Sequence, residues 1–262
     1  NVDTLNIEYN DMFLAMSAHL QDVDIDKDTL SLEKLGGKNV KLNVKGSNIN
    51  TKDLQYYIPA LDMISGNYYL DITAAGKLND LNFQKLEIKT DNSILKLSGN
   101  ISNLSNPDEM KFNVKMTESE FDLADLKNNL LPLDLPDYSA AGKVKLNLTY
   151  TGKPNVFESD ISIEGNFGSL KGKVNLDLTS KIPTYKLNLA GRELNLKPFL
   201  GDAFDSRLNC KIAGSGSGFN VNETNTEMDI EIDSSRFLHQ PIDRSKISVT
   251  FLNKHCNALI AF

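Results

Sequence analysis

Tryptophan is absent from the 262 residues and histidine occurs three times. The first absence removes the aromatic that most often lines sugar sites, and the second thins the field for His-based catalysis. Cysteine is scarce too. Cys210 and Cys256 have neither CxxC nor His spacing, so they carry no metal signature. Cys210 alternates with Leu208 and Ile212, the position of a small buried apolar residue. A bridge between the two would require an oxidising compartment; we expect two free thiols. Positive charge is short, with 28 Lys and Arg against 35 Asp and Glu, a net charge of −7. Nucleic-acid phosphates call for clustered cations, so nucleic acid is disfavoured as a partner. Long apolar runs are missing. Stretches such as Ala258 to Phe262 reach about five residues, where a membrane helix needs about 20. No charged-then-apolar leader is visible. The chain starts at Asn1 and stops within a strand-like run at Phe262, so we expect a piece of a longer precursor.

Catalytic and metal patterns are equally thin. His19, His239 and His255 are scattered and are expected at the surface. Asp22, Asp24, Asp26 and Asp28 resemble a calcium loop superficially. The loop's sixth-position Gly is replaced by Lys27, so a solvated strand face or edge is the better reading. Gly214 to Gly218 is not a phosphate loop, because no helix opening with Lys-Ser/Thr follows; it reads as a glycine-loosened strand end. Glu118, Glu120 and Asp122 could pair as acid and base, but acidic residues before a helix also follow from its dipole. No cofactor is implied, and we expect no enzyme.

What is abundant is alternation. Val40, Leu42 and Val44 interleave with Lys41, Asn43 and Lys45. The same occurs over Phe112–Met116, Val144–Tyr150, Val174–Leu178, Met228–Ile232 and Ile247–Phe251. Successive strand side chains point to opposite faces, so each segment has one apolar and one wet face. Parallel sheets buried by helices read instead as continuous apolar runs. The expected fold is therefore mainly β, mostly antiparallel, with one apolar face and a few short helices. Gly152-Lys153-Pro154 and Asn166-Phe167-Gly168 supply turn chemistry. Helical turns are predicted over 51–58, 123–131 and 197–204, with Thr51 and Asp122 as caps and Pro198 in the first turn of the last.

These helical stretches recur. Asp53 and Asp125 stand 72 residues apart, as do Leu126 and Pro198; Gly99 and Gly172 stand 73 apart. Lys41-Leu42-Asn43-Val44-Lys45 precedes the first, Lys111-Phe112-Asn113-Val114-Lys115 the second, and Lys186-Leu187-Asn188-Leu189-Ala190 the third. We read one elongated domain over 1–262, built from repeats at about 40–110, 111–184 and 185–252.

Strands of the form Leu-x-Leu-x-Gly, punctuated by a brief helix, resemble the AsmA-like family, which includes the TamB type. Leu189 to Leu200 followed by Ser206 to Gly216 carries the likeness best. Lys52-Asp53-Leu54 through Gly76, and Ala124-Asp125-Leu126 through Gly152, repeat it. The resemblance covers roughly 40–252. It implies a bacterial envelope protein, anchored in the inner membrane outside this segment, whose curved or rolled sheet extends through the periplasm. It also implies a groove for phospholipid or another acyl-chain ligand, a role in outer-membrane biogenesis, and partners among outer-membrane assembly proteins. The candidate groove residues are Val114, Met116, Leu146, Leu148, Leu176, Leu178, Leu187, Leu189, Ile230 and Ile232. The alternatives are a scaffold that pairs its edges with partner strands and binds no lipid and, well behind, an enzyme on a β-solenoid. The same residues would line a closed core or an open trough; without the resemblance the closed core is the preferred reading.

Overall fold

The computed structural model describes residues 2–9, 12–21, 32–50, 66–125, 138–218, 224–252 and 254–261. The chain divides into two compact units, 1–139 and 140–262.

Unit 1 holds seven strands: β1 (Val2–Tyr9), β2 (Met12–Leu20), β3 (Asn39–Asn50), β4 (Asn67–Lys77), β5 (Asp80–Lys89), β6 (Ile94–Ser102) and β7 (Lys111–Asp122). Each pairs antiparallel with the next in chain order. A four-residue helix, α1 (Leu32–Leu35), precedes β3.

Unit 2 is a second meander. It comprises β8 (Lys143–Lys153), β9 (Val156–Gly165), β10 (Gly168–Asp177), β11 (Thr184–Leu194), β12 (Ser206–Ser217) and β13 (Asn225–Phe237), then the short β14 (Gln240–Ile242), β15 (Ser245–Leu252) and β16 (His255–Ala261). Again every pairing is antiparallel; β14 adds only to the end of β13. Neither meander closes on itself: among the described residues β1 pairs only with β2 and β16 only with β15. The fold is all-β and antiparallel, as the alternation predicts, and it is open, which the alternation leaves undecided.

Five of the alternating segments fall within β3, β7, β8, β13 and β15, and the sixth, Val174–Leu178, begins in β10. One boundary differs. The alternation runs on to Thr179, whereas β10 stops at Asp177. There the Asp177 carboxylate accepts bonds from the Thr179 N–H at 2.9 Å and its hydroxyl at 2.5 Å. This side-chain turn ends the strand.

Among the described residues, four of the bulges in the ladders share one form, a residue of positive φ followed by a buried one. They are Gly46-Ser47, Glu118-Ser119, Glu193-Leu194 and Ser234-Ser235, with φ of 61°, 51°, 55° and 23° at the first residue. The first three fall 72 and 75 residues apart. A bulge leaves backbone groups without ladder partners, and these must be satisfied elsewhere. The serines do it. Ser47 Oγ accepts from the Ala15 N–H at 2.9 Å, Ser119 Oγ from the Lys96 N–H at 2.9 Å, and Ser235 Oγ from the Asn209 N–H at 2.9 Å. At Glu193-Leu194, Ser206 of β12 serves instead, accepting from the Leu196 N–H and donating to the Leu194 carbonyl.

The third predicted helical stretch forms α2 (Lys197–Leu200) and a 3-10 turn at Asp202–Phe204, with Pro198 in the first turn. It is too short to stand alone and is held by packing. Phe199 meets Phe167 edge-on at 4.9 Å, and Phe204 faces Phe237 at 6.4 Å. Of the second stretch, Leu123–Asp125 is described, and the Asp122 carboxylate caps the Ala124 N–H at 3.0 Å. The buried Asp125 accepts from Ser93 Oγ at 2.5 Å and Thr90 Oγ1 at 2.9 Å, tying this segment to the β5–β6 turn. The helix predicted at 51–58, the remainder of 126–131 and the acidic run Asp22–Asp28 lie outside the described residues.

Candidate functional site

Antiparallel register places directly opposed residues on the same face, so the ladders can be read crosswise. In unit 1 one row runs Met16, Val44, Ile72, Leu86, Leu97, Met116. The next runs Ala18, Leu42, Ala74, Phe83, Gly99, Val114. In unit 2 a row runs Leu148, Ile161, Gly172, Leu189, Ile212, Ile230, Ile247. Its neighbour runs Tyr150, Ser159, Val174, Leu187, Gly214, Met228, Val249. Each unit thus carries one apolar face, continuous across its strands.

The candidate groove residues distribute as follows. Val114 and Met116 stand on β7 of unit 1, opposite Gly99 and Leu97. Leu146, Leu148, Leu176, Leu187, Leu189, Ile230 and Ile232 share the apolar face of unit 2. Leu178 lies just past the end of β10 and is exposed. Val114, Met116 and Ile232 are buried; the other strand residues are half-buried. Among the described residues there is no second sheet, and no helix longer than four residues, to cover either face. In unit 2 exposure grades along the strands. Val144, Phe167, Leu194 and Cys210 are buried at the α2 end, while Val156, Leu178 and Ile182 are exposed at the other, at 39%, 37% and 41%.

Polar atoms on this face are satisfied. Tyr150, stacked on Phe157 at 4.4 Å, donates its hydroxyl to the carbonyls of Lys153 and Pro154. The Tyr185 hydroxyl shares a 2.5 Å hydrogen bond with Thr226 Oγ1. Burial raises the pKa of the Tyr150 phenol and of the Cys210 thiol. Both cysteines are free, Cys210 buried and Cys256 exposed.

The wet face is laced with ion pairs: Lys85 to Asp71 at 2.5 Å, Lys89 to Glu87 at 2.7 Å, and Lys173 to Glu158 and Asp160 at 3.5 Å each. Exposed pairs contribute little individually. Three hollows open on the wet faces of the two units. One of about 1290 Å³ spans β10 to β16; one of about 430 Å³ includes Thr151, Glu158, Asn175 and Lys186; one of about 470 Å³ includes His19, Lys41, Asn43 and Thr73.

His19, His239 and His255 are exposed on β2, the β13–β14 turn and β16. Glu118 sits at a bulge, 3.5 Å from Lys96, and Asp122 serves as the cap described above. Among the described residues no group of three His, Cys, Asp or Glu could hold a metal ion, and no helix is long and apolar enough to cross a membrane. Comparison with protein-family models, curated proteins and solved structures finds no match.

The bulge serines were not anticipated from the sequence, although a signal exists. Apolar positions are even at Val40, Leu42 and Val44 and odd at Ile49. They change parity again between Met116 and Phe121, Leu189 and Leu194, and Ile232 and Phe237. A parity change inside one strand is what a bulge produces.

Proposed function

We propose that this chain is a non-enzymatic segment of an AsmA-like protein of the bacterial periplasm, anchored to the inner membrane in its full-length form. In this reading it carries phospholipid between membranes along its apolar sheet face, in outer-membrane biogenesis. The observation that carries the reading is the apolar face itself. Rows of Leu, Ile, Val and Met cross the strands of each unit; Val44, Val114 and Met116 are buried in unit 1, most row residues of unit 2 stay half-buried, and no covering layer stands over either face among the described residues. A monomer rarely leaves so large an apolar surface without a ligand or partner. Acyl chains suit it because they are apolar and adaptable, and need no hydrogen-bonding groups from the wall.

The test places a charge on the face. Leu148→Asp and Leu189→Asp should abolish uptake of a fluorescent phospholipid while the chain stays folded by circular dichroism. Unfolding of both variants would make these positions ordinary core and remove the support for a groove.

A further inference from the structure

The wet face of unit 2 carries a feature that the lipid reading does not use. One crosswise row runs Lys171, Ala190, Lys211, Glu231, Lys246, Ala261, each opposed to the next. Lysines therefore stand on every second strand, about 10 Å apart at a strand spacing of about 4.8 Å. Arg192 stands two residues along β11 from Ala190, on the same face. This row lies in the hollow of about 1290 Å³, whose lining includes Lys171, Arg192, Lys211, Arg244 and Lys246 against Glu231 and Asp233. Five cations thus meet two carboxylates in a chain whose net charge is −7.

The cations differ in their partners. Arg244 lies 3.9 Å from Asp233 and Lys246 lies 3.8 Å from Asp229. Lys171, Arg192 and Lys211 form no ion pair with a described carboxylate. Between them the methyl group of Ala190 leaves open space. Two lysines about 10 Å apart can lean onto one anion over the intervening strand. A guanidinium beside them offers the two-pronged donor geometry that matches phosphate.

We propose that Lys171, Arg192 and Lys211 form a binding site over Ala190 for a phosphate group, borne by a soluble phosphate compound or by a phospholipid headgroup. It lies on the face opposite the apolar rows and does not depend on the lipid reading. The site is exposed, so binding is weak and falls steeply with salt.

The test is a titration of the full chain followed through its backbone amides by NMR, first with inorganic phosphate at low ionic strength. Saturable shifts centred on residues 171, 190, 192 and 211 are expected. A second arm measures flotation with phosphatidylcholine vesicles with and without phosphatidylglycerol. The triple variant Lys171→Gln, Arg192→Gln, Lys211→Gln should weaken whichever arm binds by at least about tenfold. An equal-charge control, Lys111→Gln, Lys115→Gln, Lys143→Gln, should not. Binding to free phosphate identifies a soluble ligand; binding only to phosphatidylglycerol vesicles identifies the headgroup. The site is overturned if neither arm binds, or if the control variant weakens binding as much as the triple variant. The amide mapping is made on the unmodified chain, so it stands even if a variant folds poorly.

Discussion

Gly172 on β10 lies directly opposite Leu189 on β11, and a Cβ built on it would stand 2.0 Å from the Asn188 carbonyl oxygen. Its φ is +151°. Gly99 has the same relation to Val114, with a Cβ 2.3 Å from the Asn113 oxygen and a φ of +131°. In both places the apolar face lacks one side chain, and the neighbouring backbone closes into the space. Gly172→Ala should therefore destabilise the chain by on the order of 2–3 kcal/mol, from strain and the forced backbone shift. Gly37→Ala, where nothing lies within 4 Å of the added atom, is the control and should change stability by less than about 0.5 kcal/mol. Urea unfolding of the two variants checks both values.

Ser119 is 1% exposed, and its hydroxyl holds the Lys96 N–H across the β7 bulge. Ser119→Ala leaves that part-buried donor without its partner, a cost of about 1–3 kcal/mol. Hydrogen exchange should show the Lys96 amide losing protection well beyond amides in the strands of unit 2.

Glu87 sits between Lys89, at 2.7 Å, and Lys85, at 3.4 Å. The hydrogen bond from Lys89, with that from Lys85, lowers its pKa below the usual carboxylate value. Asp177 is lowered by its bonds from Thr179. A depressed folded-state pKa gives stability that is fully present above the unfolded value, about 4, and is lost as pH falls through the folded one. Melting temperature should therefore be flat near neutrality and fall below about pH 4. Glu87→Gln should flatten part of that fall; an unchanged acid limb would rule out the contribution.

The thiols should separate by reactivity. Cys256 is exposed on β16, whereas Cys210 is buried on β12 and its pKa is raised by that burial. A neutral-pH thiol reagent should modify Cys256 rapidly and Cys210 only in denaturant. Mass spectrometry of the labelled, digested chain reads the two sites separately.

Strand identity and facing were legible because period-two alternation is a local pattern with a direct physical meaning. Val40-Leu42-Val44 and Met228-Ile230-Ile232 needed no tertiary information. The extent of β10 was overread by two residues, because the Asp177–Thr179 turn competes with the ladder through side-chain bonds that alternation does not express. The rows were not legible. That Leu148 and Leu189 share one line depends on register across three strand pairings, set by the turns and bulges between them. The cation row across Lys171, Lys211 and Lys246 was hidden for the same reason. Its members lie 40 and 35 residues apart, and each alone is an ordinary wet-face lysine.

The proposed function is tested most directly by native mass spectrometry of the purified chain, followed by organic extraction and lipid analysis. An apolar face that holds acyl chains should yield phospholipid at near-stoichiometric level. A chain that is monomeric, cooperatively folded and free of lipid would contradict the groove and leave the sheet as a scaffold for a protein partner.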